Sequence, residues 1–511
     1  MEYVNMAHND LDIDALVEAF APATGAGRAA LHARLSEPLT DVRELTGRQE
    51  ELRAIKKVCK SKQADIATLR QKLTEAEADV TSVADASTDE RLKEYYTQIL
   101  WPQTSVAARL NHLGWLNELI VFLRTVFVPG VAVMLPVFIF LAPLILYTLV
   151  LKEPITFSKY IDMIQTSVKK AMPSMLGAPR FKGAGGLPEM AEQFTHIGLG
   201  LVMLGASIWN QISSAIHMRT IVADMRRRAV AVQTFTSTTK ELAALLGLQV
   251  DCGPAWSFGA LGVFGDAWNE PSRVHRLLAE AGRLDMLVSI ASHRRTCFPL
   301  LDSDTLAVDD LYHPSLSANR VYNSVSLSPA SKQHVLLTGP NRGGKSTLLK
   351  SLGYAVLMGQ TVGIVFGRRA TLPLFMSIIT ALSPTDTVGK MSLFEAEIEF
   401  AKSVKARIGT GKMFLMMDEI FHGTNAHDGV EASQIFLDQL YASDSSVFSI
   451  VSTHYMDLPT KYGPTCTQNM CMDASVDPTD PDMLVYTYRL IPGMNRHSSV
   501  REILRERGLL A

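Results

Sequence analysis

One short run limits what this chain can fold into more than any other: GPNRGGKST at Gly339 to Thr347, directly preceded by the apolar VLLT. It satisfies G-x-x-x-x-G-K-[ST] in the setting that pattern requires, a buried strand, a glycine-rich loop and the first turn of a helix. Gly343 and Gly344 carry no side chain, so backbone N–H groups there can approach phosphate oxygens at a helix N-terminus. Lys345 is placed to reach the β and γ phosphates of ATP, and Ser346 to ligate Mg²⁺. Gly339, Pro340, Asn341, Arg342 and Thr347 complete the expected binding loop.

Two later segments extend the pattern. MFLMMDEIFHGTN puts Asp418 and Glu419 at the end of a buried-strand run, where Asp418 can hold Mg²⁺ through water and Glu419 can take a proton from an attacking water. VFSIVSTHY ends at His454, placed to sense the γ-phosphate from a neighbouring strand edge. An acidic pair after an apolar run, or a lone histidine, is common; the three in this order point to a nucleotide site. HVLLTG, MFLMMD and VFSIVSTH alternate with helical stretches, which signals a parallel sheet flanked by helices. The boundary of this α/β domain is expected near Asp302 to Tyr312.

Upstream the texture is helical. Leu31, Leu35, Leu39, Val42, Leu45, Leu52, Ile55 and Val58 recur at mostly helical spacing. Arg48, Arg53, Lys56, Lys57, Lys60 and Lys62 can meet phosphates, but Glu44, Glu50 and Glu51 intersperse them, and a solvated helix face is the plainer reading. The whole chain of 511 residues carries 49 Lys plus Arg against 51 Asp plus Glu, a net charge of −2. Bulk positive charge therefore cannot hold it on nucleic acid, and any such contact must use local patches. Five cysteines (Cys59, Cys252, Cys297, Cys466, Cys471) without a C-x-x-C suggest neither a disulfide framework nor a zinc ribbon, and fit a reducing compartment.

The apolar fraction of 47% and the mean hydropathy of +0.12 are slightly high for a soluble enzyme, and the excess is concentrated. Residues 125–151, TVFVPGVAVMLPVFIFLAPLILYTLVL, lack any charge and as a helix exceed the roughly 30 Å hydrocarbon core of a bilayer. Pro129, Pro136 and Pro143 allow a kinked span or a re-entrant hairpin; the alternative is a buried core helix of a soluble intracellular protein. A second uncharged stretch runs from Gln193 to Met218, with Gly198, Gly200 and Gly205 permitting close helix approach. Arg219, Arg226, Arg227 and Arg228 follow, a basic cluster of the kind retained on the cytoplasmic side. The expectation is a transmembrane hairpin, with spans about 125–151 and 194–216 inside an insertion at 121–218, Lys152 to Glu192 as the far-side loop and the α/β domain cytoplasmic. The opening MEYVNMAHNDLDID has no early apolar run and does not read as a signal peptide.

These residues resemble the MutS family of ABC-type ATPases. TGPNRGGKST looks like that family's P-loop, DEIFHGTNAHDG (Asp418 to Gly429) like its Walker B and D-loop run, and STHY like its switch-histidine segment. SPTDTVGKMSLFEAEI resembles the signature region, with Asp386, Ser392, Phe394 and Glu397 on recognisable positions; in the family that serine acts in trans on the partner subunit's nucleotide. YHPSL at Tyr312 to Leu316 is similar to the segment preceding the ATPase strand. More faintly, Gly25 to Ile55 is similar to the family's core helical segment, with its motifs falling on Arg28 to Ala30, Pro38 to Asp41, and Arg48. The resemblance implies a helical lever and core in two halves, 1–120 and 219–302, and an ATPase domain at 303–511 that works as a homodimer or as a heterodimer with another MutS-like chain, associated with double-stranded DNA.

The sequence also departs from that family. Where MutS inserts its DNA clamp, this chain carries its two apolar stretches. The core pattern starts by about residue 25, no F-x-E wedge occurs, and direct mismatch readout through an intercalated aromatic is not expected. Phe421 and His422 stand where the repair enzymes usually have Gly and Arg. Two functions follow as expectations: a membrane-anchored, DNA-associated ATPase resembling mismatch-repair proteins, or an ATP-driven switch acting on membrane or protein partners.

Overall fold

The computed structural model describes residues 10–510 apart from 87, 147, 149–151, 153–155, 157–158, 161–162, 164–188, 317–319, 383–391 and 443–445. Most of the expected far-side loop and Asp386 of the signature region lie outside the described residues. The chain forms two compact units, one of Met1–Gln71, Glu241–Gln249 and Ala279–Ala511, the other of Lys72–Lys240 and Val250–Leu278. Of the segments read from the sequence, 121–218 falls within the second unit and 303–511 within the first, while 1–120 and 219–302 are divided between them.

The first unit is mixed α/β. In chain order its strands are β1 (Leu300–Leu301), β2 (Leu306–Leu311), β3 (Asn323–Leu327), β4 (His334–Thr338), β5 (Arg369–Leu372), β6 (Ser377–Ala381), β7 (Met413–Met417), β8 (Val447–Ser452), β9 (Thr467–Val476) and β10 (Leu484–Pro492). A small sheet has the order β1-β5-β2-β3, and the main sheet the order β10-β9-β4-β8-β7-β6. In the main sheet β9, β4, β8, β7 and β6 run parallel, and β10 pairs antiparallel with β9 at the edge. Every residue of β4, β7 and β8 is buried, as mainly apolar strands covered on both faces should be. Helices Leu393–Lys405, Ala426–Tyr441 and Asp457–Tyr462 supply one apolar cluster with the sheet, including Val404, Leu437, Leu440 and Leu458.

Residues 10–71 belong to this unit because they bury their apolar stripe in it. Leu31, Leu35, Leu45, Leu52 and Ile55, five of the periodic positions, are buried. Asp41 caps the helix Val42–Ser61 by accepting from Arg43 N at 2.7 Å, so the P-L-x-D run has a local job in starting that helix. Leu39 N donates to Gln360 O at 2.7 Å, and Gln360 Nε2 returns to Leu39 O at 3.1 Å. Arg48 donates to the Thr361 carbonyl and to Glu44 Oε1 at 2.8 Å, a cation at the C-terminal end of the helix Lys345–Thr361. Asp285, fully buried, accepts from Thr24 N and Thr24 Oγ, both at 2.8 Å, and from Arg70 Nε at 2.6 Å.

The second unit is helical. Tyr96, Phe264 and Trp268 form its aromatic centre, with ring centroids 4.8 Å and 6.0 Å from Tyr96, and Tyr96 OH donates to Asp224 Oδ2 at 2.6 Å. Helix Gly114–Phe122 leads through a π-helical turn, Leu123–Phe127, into helix Val128–Ile145. Pro129 has no N–H for the carbonyl of Thr125, and a wider turn before it accommodates the ring. The first apolar stretch is thus helical through Pro129 and Pro136, and the helical run begins upstream of Thr125.

The expected hairpin is not what the structure supports. Among the described residues one helix is long and apolar enough to cross a membrane, Gly114–Met134, with a mean hydropathy of 1.7. The second expected span falls within a continuous helix, Glu189–Leu246, where Asn210, Gln211, Ser213, Ser214 and His217 dilute the apolar character and charged turns follow directly. The basic cluster after it is also spent internally. Arg226 pairs with Glu118 at 2.6 Å, Arg227 with Asp79 and with Asp224 at 2.7 Å, and Arg228 with Asp224 at 3.0 Å. Three arginines held by their own acidic neighbours offer little net charge to phosphates.

Candidate nucleotide site

Parallel strands all present their C-terminal ends to the same edge, and in the main sheet β4, β8 and β7 are consecutive neighbours. The three segments singled out in the sequence therefore meet at one edge: Gly339 after β4, His454 after β8, Asp418 after β7.

The loop after β4 is built for close approach. Gly344, at φ +93°, is the N-cap of helix Lys345–Thr361 and provides no side-chain cap, leaving the first N–H groups of the helix to an external acceptor. A Cβ at Gly343 would stand 2.9 Å from the Pro340 carbonyl, so only glycine fits there. Arg342, at φ +66°, turns outward and pairs with Glu506. Lys345 is only 5% exposed; its Nζ donates to Gly339 O at 2.9 Å and Pro340 O at 3.2 Å and stands 3.5 Å from His454 Nε2. Burial pushes its pKa down, opposed by the charges of Asp418 and Glu419. Asn341 and Thr347 lie on the exposed side of the loop and first turn.

The acidic pair divides its work. Ser346 Oγ donates to Asp418 Oδ2 at 2.5 Å, and Ser452 Oγ donates to Asp418 Oδ1. A hydroxyl and a carboxylate oxygen in contact are the hard donors Mg²⁺ takes, usually completing its shell with water and substrate phosphate. No group of three or more His, Cys, Asp or Glu able to hold a metal occurs among the described residues, so phosphate and water would have to supply the other ligands. Glu419 sits at φ +56°, a left-handed conformation that costs a non-glycine residue energy, and its N–H donates to Ser452 Oγ at 2.8 Å. Its Oε1 accepts from His454 Nε2 at 3.0 Å. That hydrogen bond chiefly holds the Glu419 carboxyl below the usual carboxylate range, against burial, with added help from the charges of His454, Lys345 and His422.

Sequence reasoning missed Ser452 and undervalued His422. Ser452 is fully buried and ties both acidic residues; its signal was a serine closing a buried strand. His422 Nδ1 donates to Glu419 O at 2.8 Å and lies 3.1 Å from Glu397 Oε1, while Glu397 accepts from the N–H groups of His422 and Gly423, both at 3.2 Å. Phe421, the other departure from the family pattern, is buried at φ +48° with ring centroids 6.2 Å from Phe394 and 6.1 Å from Phe436. Tyr488, at φ +56° in the irregular part of β10, puts an aromatic carbon 3.3 Å from where a Cβ at Gly344 would stand.

Ser392 is not brought into this cluster. It is the N-cap of helix Leu393–Lys405 in a reciprocal capping box, its Oγ accepting from Glu395 N at 3.3 Å and its own N donating to Glu395 Oε2 at 2.9 Å.

Residues 335–506 match the family model for MutS domain V. The chain is 29% identical over 223 residues to the DNA mismatch repair protein spellchecker 1 of Drosophila melanogaster, covering 41% of this chain and 24% of that protein. It is 29% identical over 195 residues to the DNA mismatch repair protein MutS of Shouchella clausii (36% of this chain, 22% of that one). With the DNA mismatch repair protein MutS of Natronomonas pharaonis the identity is 27% over 187 residues, again 36% and 22%. The match thus spans less than a quarter of the length of these curated relatives.

Proposed function

This chain belongs to the MutS family through residues 335–506, and from that premise we propose that it binds and hydrolyses ATP as a dimer and couples closure of its ATPase domains to helical arms, in association with DNA and anchored to a membrane. One observation carries the ATPase reading: Lys345, the Ser346–Asp418 pair and the Glu419–His454 pair converge at the C-terminal edge of three adjacent strands.

The loop N–H groups and Lys345 bind the phosphates. Ser346 and Asp418 would hold Mg²⁺, which when bound neutralises phosphate charge. Glu419, whose carboxyl its histidine partner holds below the usual carboxylate range, orients the attacking water and accepts its proton as the new P–O bond forms and the bond to the ADP leaving group breaks. His454 fixes the Glu419 carboxylate and lies against Lys345, so it links the base to the phosphate side of the site. Ser392, at the free end of its helix, acts in trans on the nucleotide of the partner copy, a homodimer or a MutS-like heterodimer. The relatives are named as DNA mismatch repair proteins, which supports a DNA role here.

A second reading has one observation in its favour. Trp115 is 67% and Met134 63% exposed on the helix Gly114–Met134, a large apolar surface that suits lipid and a membrane-coupled switch without DNA, with the ATPase domain cytoplasmic. ATP hydrolysis measured on lipid-reconstituted protein with and without heteroduplex DNA separates the two. Stimulation by DNA supports the first reading; an ATPase that responds to lipid and not to DNA supports the second.

A further inference from the structure

The helix Val42–Ser61 carried basic and acidic residues that sequence left mixed, and the structure sorts them. Arg48 is consumed by Glu44 and the Thr361 carbonyl, and Glu51 faces Arg283 at 3.8 Å. Arg53, Lys56, Lys57 and Lys60 remain, spaced i, i+3, i+4 and i+7, a single stripe about 10 Å long at 1.5 Å per residue. Arg53, Lys57 and Lys60 are exposed.

The loop after helix Pro271–Ser292 packs against this stripe and adds Arg294 and Arg295. Lys56 Nζ donates to His293 O at 3.4 Å and Thr296 Oγ at 3.3 Å. Arg53 lies 4.5 Å and Lys56 5.9 Å from the centre of the Phe298 ring. Arg295 lies 5.7 Å from the Tyr322 ring, and Arg320 lies 4.3 Å from that of Tyr312. Among the described residues none of these cations forms an ion pair with a carboxylate. Exposed Glu50, one turn before Arg53, makes none with it; Asp65 pairs with Lys62, and Asp309 and Asp310 with Arg368 and Arg369. Burial, and after it the charge of Lys60, pushes the Lys56 pKa down.

We propose that this stripe and loop form a binding surface for the phosphate backbone of nucleic acid, read by charge and not by base sequence. Arg53 and Lys56 are held in place by the Phe298 ring and by carbonyl oxygens, and Arg295 by the Tyr322 ring, beside exposed Lys57 and Lys60, an arrangement that suits regularly spaced phosphates. A lipid surface fits less well: the helix's apolar face (Leu45, Leu52, Ile55) is buried, and no large exposed hydrophobic lies on it to enter a bilayer. The proposal deepens the DNA reading above and rests on it for the class of partner.

The test uses full-length protein in lipid and the double variant Lys57→Glu, Lys60→Glu, two exposed side chains. Binding of a labelled duplex of about 30 base pairs is followed across salt, since each lost phosphate contact reduces the slope of log K against log salt by roughly 0.9. The expected result is a slope reduced by about 2 and an affinity at least about tenfold weaker near 100 mM salt. Arg226→Gln with Arg227→Gln, in the internally paired cluster, is the control and keeps the wild-type slope. If the wild type binds duplex and the Lys57/Lys60 variant keeps its slope, the surface is wrong while the DNA reading stands. If the wild type binds no duplex, both fall. If the variant instead loses binding to vesicles containing phosphatidylserine and keeps duplex binding, the surface is a lipid one and the proposal is overturned.

Discussion

The nucleotide-type site and the helical unit solve opposite solvation problems. At the sheet edge, charge is drawn inward: Lys345 is buried, Asp418 is gripped by two hydroxyls, and Glu419 holds a strained backbone to meet His454. In the helical unit, hydrocarbon is turned outward along Gly114–Met134 while its arginines find acidic partners. Buried charge costs free energy unless something completes its shell, and exposed hydrocarbon costs free energy in water. Each region thus advertises what it lacks: a polyanion and its cation in one, an apolar partner in the other.

Four perturbations bear on this contrast, the largest first. Glu419→Gln removes the proposed base and leaves its shape, so hydrolysis falls by about 10²–10⁴-fold while ATP binding persists, as single-turnover hydrolysis and a nucleotide-binding titration would read. Normal hydrolysis in that variant breaks the base assignment. Phe122→Asp with Val126→Asp places two charges on the exposed apolar helix, each costing about 2.5–3.5 kcal/mol at the centre of a bilayer. The wild type should resist alkaline extraction from membranes and the variant should be released; release of both removes the case for lipid.

Ser392 separates a structural task from a catalytic one. Ser392→Ala deletes a capping box and should cost about 1 kcal/mol of stability, measured by thermal melting. Ser392→Asn keeps an N-cap, so loss of hydrolysis in both variants, rescued in mixed dimers with an intact partner, marks action in trans. The smallest effect concerns pH. The Glu419 pKa is lowered in the folded protein, so the stability its pairing contributes is present above the ordinary glutamate value and lost as pH falls through the lowered one. His454→Ala removes the chief cause, and the acid limb of the pH–rate profile should move toward neutral. An unmoved limb would mean that His454 does not tune the base.

Much of the first unit was legible in the sequence because its signals are local. Glycines at Gly343 and Gly344, mainly apolar strands and the residues ending them announce a loop, a buried parallel sheet and its C-terminal edge. Ser452 was not legible, since a serine closing a strand says nothing until β8 is seen to lie beside β7. The hairpin failed for a related reason. An uncharged stretch reports composition, and Gln193 to Met218 proved to be the beginning of a much longer helix.

By itself the sequence determined the nucleotide motif, the αβ alternation and the apolar excess, all properties of residues near one another along the chain. Tertiary structure alone decided which charges are spent. Arg48 and Arg226–Arg228 look as free as Arg53 and Lys57 in one dimension, yet the former meet carboxylates and the latter do not. A charge's availability depends on what stands within a few ångströms of it, and that distance is set by the fold.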